Sequence, residues 1–153
     1  INMDYKYHTI NELNHFIFGE AVLGDLQMTD EMFHAVIDNV KILPENSCNR
    51  DIRTMRANEL LLKLDGAQIV ALIEEGYREY DADGNLKHTY EDVTVKPEQY
   101  KEKEEVLIGG TIYELQMENG VYSFVIDGTD ERTYTLKIAA DGDEELWNRF
   151  LEL

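Results

Sequence analysis

Apolar and polar residues alternate most regularly between Thr111 and Ile138, and this stretch anchors the reading of the whole chain. Asn119-Gly120 suits the two-residue loop of a type I′ hairpin, whose central residues both need φ > 0. With that turn in place Glu118 faces Val121, and the apolar pairs Met117 with Tyr122, Leu115 with Phe124 and Tyr113 with Ile126 share one face. Tyr134, Leu136 and Ile138 extend this face when Ile126 stands opposite Tyr134, while Thr133, Thr135 and Lys137 turn away. Slipping the register by one residue would expose all of these apolar side chains, so the pairing is firmly specified. The pattern predicts a β-meander that serves as core.

Upstream, residues 4–14 have too little periodicity to choose between strand and helix. Phe16, Phe18 and Val22 alternate with Ile17, Ala21 and Leu23, which predicts a strand, and residues 32–43 form a second, β-branched run ended by Pro44. These two should pair antiparallel. Residues 45–53 read as a polar loop. Leu60 to Leu64 predicts a strand stopped by a tight turn at Asp65-Gly66, with a further run over residues 69–80. Asp81-Ala82-Asp83-Gly84-Asn85 then makes a hairpin turn into residues 86–95.

Pro97 and the mixed charges after it suit one or two helical turns. Near the C-terminus, Asp141 and Glu144 have capping-box spacing, and Leu146, Trp147, Phe150, Leu151 and Leu153 recur at helical spacing, which predicts a short helix lying on the meander. The expected fold is a single domain over residues 1–153. It is mainly β, a β-rich α+β chain of about eight mostly antiparallel strands in one curved sheet or two packed layers, with that short C-terminal helix. Residues 25–38 and 114–127 align without gaps, sharing Leu-Gln-Met and Val-Ile-Asp, and Leu62-Lys63-Leu64 returns as Leu136-Lys137-Ile138. A pseudo-repeat of β-meanders over residues 16–65 and 107–139 would explain both, as would ordinary strand-turn-strand patterning.

Charge narrows the range of functions. The chain has 153 residues, with 32 acidic against 14 basic and a net charge of −18. Such a field repels phosphate backbones and anionic membranes and steers basic protein partners inward. It also keeps a small domain soluble, as a monomer or weak homo-oligomer. Cys48, the single cysteine, rules out an internal disulfide. The opening INMDYKYH lacks the apolar segment of a signal peptide, and no run approaches 18 apolar residues. A cytoplasmic location is the expectation, with the residues ahead of Met3 read as a scar or the remnant of a processed leader.

Chemistry finds little purchase in the motifs. Asp81, Asp83 and Asn85 open like a calcium loop, but Leu86 and Asp92 stand where that loop needs Gly and Glu. His8, His15, His34 and His88 show no zinc spacing, although His15 and His34 could meet across the first hairpin. No neighbour of Cys48 in the sequence marks it as an activated nucleophile. Gly109-Gly110 precedes a strand and not a helix N-terminus, so it is no phosphate cradle. Runs such as Glu74-Glu75 and Asp143-Glu144-Glu145 are too common in this chain to single out a catalytic pair. The expectation is therefore a non-enzyme with no catalytic residue, metal or cofactor.

What remains is the interleaving of acids with tyrosines in Glu74, Glu75, Tyr77, Glu79, Tyr80, Asp81, Asp83 and Tyr90, which suits capture of a basic protein surface. These eight residues are the expected partner-binding site. The function expected is an acidic protein-binding module, in a bacterial setting an immunity protein that occludes a basic effector such as a nuclease toxin. The alternative is a structural or accessory subunit of a larger assembly.

Overall fold

The computed structural model describes residues 4–29 and 31–153. The reading of the residues ahead of Met3 lies outside that range. In chain order the strands are β1 (Tyr7–Ile10), β2 (Phe16–Ile17), β3 (Ala21–Thr29), β4 (Glu31–Asp38), β5 (Val40–Ile42), β6 (Met55–Ala57) and β7 (Leu60–Glu74). They continue with β8 (Tyr77–Tyr80), β9 (Leu86–Tyr90), β10 (Val93–Thr94), β11 (Thr111–Glu118), β12 (Val121–Asp127), β13 (Thr133–Ala139) and β14 (Gly142–Trp147). One α-helix, α1 (Tyr100–Leu107), follows the 3-10 turn at Pro97–Gln99, where Pro97 already has helical φ and loses no backbone bond. The chain is thus mainly β and antiparallel, with more strands than the pattern suggested. Among the described residues no helix is long and apolar enough to cross a membrane.

The predicted meander forms with the register derived from its turn. Asn119 and Gly120 have φ of 52° and 76°, and Met117 faces Tyr122, Leu115 faces Phe124, Phe124 faces Leu136 and Tyr122 faces Ile138. One pair differs. A bulge at Tyr113 puts Ile112 opposite Ile126, so Tyr113 swings outward to 68% exposure while Ile112 is buried.

The strands close into a ring in the order β7, β13, β12, β11, β3, β4 and back to β7. Closure depends on the length of β7, which runs straight through Asp65-Gly66 where a turn was expected. Gly66 has φ +60° and sits at a register shift opposite β4, and a Cβ there would stand 2.4 Å from Asp141 Oδ2. The signal is therefore a bulge, and the same positive φ serves either purpose. The first half of β7 pairs with β4, and its second half with β13. Leu23, Phe33, Ile37, Leu60, Leu62, Leu72, Ile112, Phe124, Ile126 and Leu136 fill the interior.

The C-terminal run is a strand and not the expected helix. β14 continues the line of β13 along the same edge of β7, pairing Gly142 with Asp65 and Leu146 with Leu61, and its far edge carries β1. Its buried positions are Asp143, Glu145 and Trp147, a two-residue period that two carboxylates disguise in the sequence. The small sheet β2-β5-β6 covers the end of β14, with Phe16 edge-on to Trp147 at 5.5 Å. As expected, residues 16–17 pair with 41–42 and β3 pairs with β4.

The segments that align in sequence also take up the same pairing pattern. Leu26 faces Ala35 as Leu115 faces Phe124, Phe33 faces Leu64 as Tyr122 faces Ile138, and the bulge at Gly24 matches the one at Tyr113. Where β3 meets β11, Val22 faces Thr111, its own counterpart, so the two meanders meet like against like.

Candidate functional site

Six of the eight expected partner-binding residues gather on one element. β8 and β9 form a hairpin that pairs with no other strand among the described residues, and every residue from Asp81 to Thr94 is exposed. The turn is polar and self-contained: Asp81 Oδ1 accepts the backbone N–H groups of Asp83 and Asn85 at 2.9 Å, an Asx turn rather than a cation loop. Tyr77 and Tyr90 stand opposite each other with rings stacked 4.4 Å apart, and His88 packs against Tyr90 at 4.2 Å. On the other face Tyr80 stands across from Leu86, both more than half exposed.

This arm is fixed at its root. The Arg132 guanidinium lies 4.4 Å from the centre of the Tyr77 ring, donates to the Glu75 carbonyl at 2.9 Å and pairs with Glu74 at 3.3 Å. Gly76 donates its N–H to Asp92 Oδ1 at 2.7 Å, and a Cβ on Gly76 would lie 2.0 Å from the Tyr90 carbonyl oxygen. Glu74 and Glu75 stand at the root of the arm and not on it. Glu74 is half-buried at the end of β7, holding Lys103, Arg132 and the Tyr134 hydroxyl, and Glu75 accepts from Thr135. The exposed acids of the arm are Glu79, which pairs with Lys87 at 3.4 Å, Asp81, Asp83, Glu91 and Asp92, and the charge of Glu79 holds the Tyr90 phenol above its usual pKa.

A second cluster was not singled out by the sequence reading. Asp143 and Glu145 are buried on the inner face of β14, opposite Leu64 and Leu62. Tyr122 donates to Asp143 Oδ2 at 2.6 Å, and Thr9 donates to Glu145 Oε1 at 2.8 Å. The remaining oxygens, Asp143 Oδ1 and Glu145 Oε2, are buried without a partner among the ordinary donors. A proton on one of them satisfies both. Burial first, then the hydrogen bond to Asp143 and its charge, push the Glu145 carboxyl up to about 9, so the pair holds one proton at neutral pH.

On the outer face of the same strand Glu144 bonds His8 at 2.7 Å and is held low by its hydrogen bond with Asp65. Asp65 is pushed up to about 6 by burial and by Glu144. The three adjacent acids of β14 thus divide between two faces, and only the strand assignment reveals it. His15 and His34 do not form a pair: His15 bonds Glu12 at 3.0 Å, whereas His34 stands between Gln27 and Lys63, its pKa lowered by burial and by Lys63. Among the described residues no set of three His, Cys, Asp or Glu side chains is arranged to hold a metal ion.

A groove of about 770 Å³ runs beside this cluster, between Asn11, Leu13 and Phe16 on one wall and Leu115, Met117 and Tyr122 on the other. A groove of about 710 Å³ occupies the corresponding place on the first meander, beside Met28, Ala67 and Ile69. There the counterparts of Tyr122, Asp143 and Glu145 are Phe33, Ile69 and Leu72, matched by their places opposite Leu64, Ile138 and Leu136. The fold is therefore satisfied by apolar side chains at these positions, and the carboxyl pair is an addition to one end. Compared with known proteins, the chain matches no family model, no curated protein and no solved structure.

Proposed function

We propose that this chain is a non-enzymatic binding protein that captures a basic protein surface with the β8-β9 arm. The supporting observation is the arm itself: Tyr77 ordered against Arg132 and stacked on Tyr90, exposed acids around the turn, and no other strand among the described residues paired with the hairpin. Rigid aromatic anchors lose little entropy on binding, and a surrounding negative field raises the rate of encounter with a cationic partner. With −18 on each molecule, self-association through the arm is opposed and a basic partner is favoured. In a bacterial cell a cationic effector such as a nuclease toxin domain is the partner that fits, with this protein acting as its immunity protein.

Binding to a small basic protein such as lysozyme, followed by calorimetry between 50 and roughly 300 mM salt, tests the electrostatic part. Affinity should fall steeply with salt and fall further when Tyr80 and Leu86 are both changed to Ala. Affinity indifferent to salt removes the reading. A stable oligomer by light scattering at physiological salt would favour a structural or accessory subunit instead.

A further inference from the structure

The ring of strands closes between β11 and β3 through only two residue pairs, Thr111 with Val22 and Ile112 with Ala21. Beyond them the facing edges of these strands have no strand partner among the described residues. The ladder of each hairpin decides which backbone groups are left bare. With the two-residue turn at Asn119-Gly120, Glu118, Gln116 and Glu114 bond to β12, so Met117 and Leu115 turn their N–H and C=O groups outward. On β3 the equivalent residues are Met28 and Leu26, opposite Phe33 and Ala35.

The two edges are treated differently. The Leu26 N–H donates to Asp25 Oδ1 at 2.8 Å, and the Met28 N–H donates at 3.3 Å to Glu104 Oε1 on α1, which lies against β3. Covering of this kind keeps an edge from pairing with another chain. On β11 the N–H groups of Leu115 and Met117 meet no acceptor among the described residues. The groove of about 770 Å³ runs along them, and its lining takes in Leu115 and Met117 from the inner face and Gln116 and Glu118 from the outer. The space therefore follows the strand edge, with Leu13 and Phe16 on its far side.

We propose that the edge of β11 at Leu115 and Met117 is a strand-addition site for an extended basic segment of a partner protein, in which lysine or arginine alternates with an apolar residue. An added strand would satisfy the bare N–H and C=O groups, and its side chains would alternate between two faces. Those on the inner face enter the groove beside Leu115, Met117, Tyr122 and Phe16. Those on the outer face lie beside Glu114 and Glu118, and neither β11 nor β12 carries a basic residue to match these acids. Lys137 shares their face but stands two strands away. A second copy of this chain fits poorly, because β11 against β11 centred on Gln116 sets each Glu114 opposite a Glu118, and each molecule carries −18. The site lies at the turn end of the second meander, whereas the β8-β9 arm springs from the other end, beside Tyr134. Binding here does not depend on the arm.

A short synthetic peptide of alternating lysine and valine, blocked at both ends, is the probe. Followed by nuclear magnetic resonance, it should protect the Leu115 and Met117 amides from hydrogen exchange and leave those of Leu26 and Met28 as they were. Met117→Pro removes one outward N–H and no ladder bond, and affinity should fall about tenfold. Glu114→Lys with Glu118→Lys should also lower it about tenfold, through like charges across the new pair of strands. The same peptide methylated on every backbone nitrogen should not bind, and changing Tyr80 and Leu86 to Ala should leave affinity unaltered. Absence of binding, protection that misses Leu115 and Met117, or equal affinity for the methylated peptide overturns the proposal, even if Met117→Pro does not fold. So does undiminished binding in the folded proline or double-lysine variant, or binding lost in the Tyr80 and Leu86 variant, which would place the peptide on the arm. A dimer by light scattering, with the Leu115 and Met117 amides protected before any peptide is added, would make a second copy the occupant and overturns it too.

Discussion

Changing Gly76 to Ala tests whether the arm is preorganised. The new Cβ would lie 2.0 Å from the Tyr90 carbonyl oxygen and 2.7 Å from the Glu91 carbonyl carbon, both backbone atoms that no rotamer change can move aside. Ordinary contact needs more than 3 Å, so the two strands must part at the root by over an ångström. Strain of this kind costs roughly 1–3 kcal/mol when the surroundings resist. Opposing it are the Gly76 N–H bond to Asp92, at about 1.5–3 kcal/mol for a charged acceptor, and the Arg132–Tyr77 contact, at about 0.5–1 kcal/mol because the site is exposed. These energies are comparable, whereas the barrel behind Glu74 is a closed ring with far more to lose. The arm should therefore splay while the barrel holds. In urea unfolding the midpoint should drop by no more than about 1 kcal/mol equivalent, and the Tyr77–Tyr90 ring contacts in a nuclear Overhauser spectrum should vanish. Affinity for the basic probe should fall about tenfold as the order of the arm is lost. Retained ring contacts together with unchanged affinity would show that the root is not tight, and the case for a preorganised arm would fail.

Stability should also depend on pH with a definite sign. Because Glu145 binds its proton more tightly in the folded chain, up to about 9 against an ordinary 4.5, folding takes up a proton throughout that window. This contribution is fully present below pH 4.5 and is lost by about 1.4 kcal/mol per unit as pH rises toward 9. Asp65 adds in the same sense up to about pH 6. Urea unfolding at pH 6, 7 and 8 should show the fall, and stability that rises over this range contradicts the shared proton. Replacing Tyr122, Asp143 and Glu145 together by Phe, Ile and Leu, the residues of the other meander, should flatten the pH dependence and raise the melting temperature at pH 8; a collapsed or molten product would show that the two ends are not equivalent. Tyr122→Phe alone strands a buried carboxylate oxygen and should cost about 1–3 kcal/mol by denaturant titration. Replacing Asn119-Gly120 by Ala-Ala forces two ordinary residues to positive φ and should cost about 2 kcal/mol or more, read in the same way.

What could be read in advance followed from how strongly each local signal constrains the backbone. The 111–138 meander was legible because an Asn-Gly turn fixes the register and alternation fixes the face. Asp65-Gly66 was misread because a glycine with positive φ marks a bulge as readily as a turn, and only the partner strands decide between them. The helix expected near the C-terminus arose from Leu146, Trp147 and Phe150, while the true inward set included two acids, which no hydropathy pattern assigns to a core. The arm was located by its acids and tyrosines, yet the role of Glu74 depends on Lys103 and Arg132, residues distant in sequence. The carboxyl pair was hidden for the same reason as the strand that carries it.

The strand β7 belongs to both meanders, closing the first with its leading half and flanking the second with its trailing half. No cut through the molecule can therefore separate two pieces that each keep their own set of neighbours. The chain should melt as one cooperative unit, and a fragment ending near Asp65 would lose β14 and leave the leading half of β7 with a bare edge exposed to aggregation.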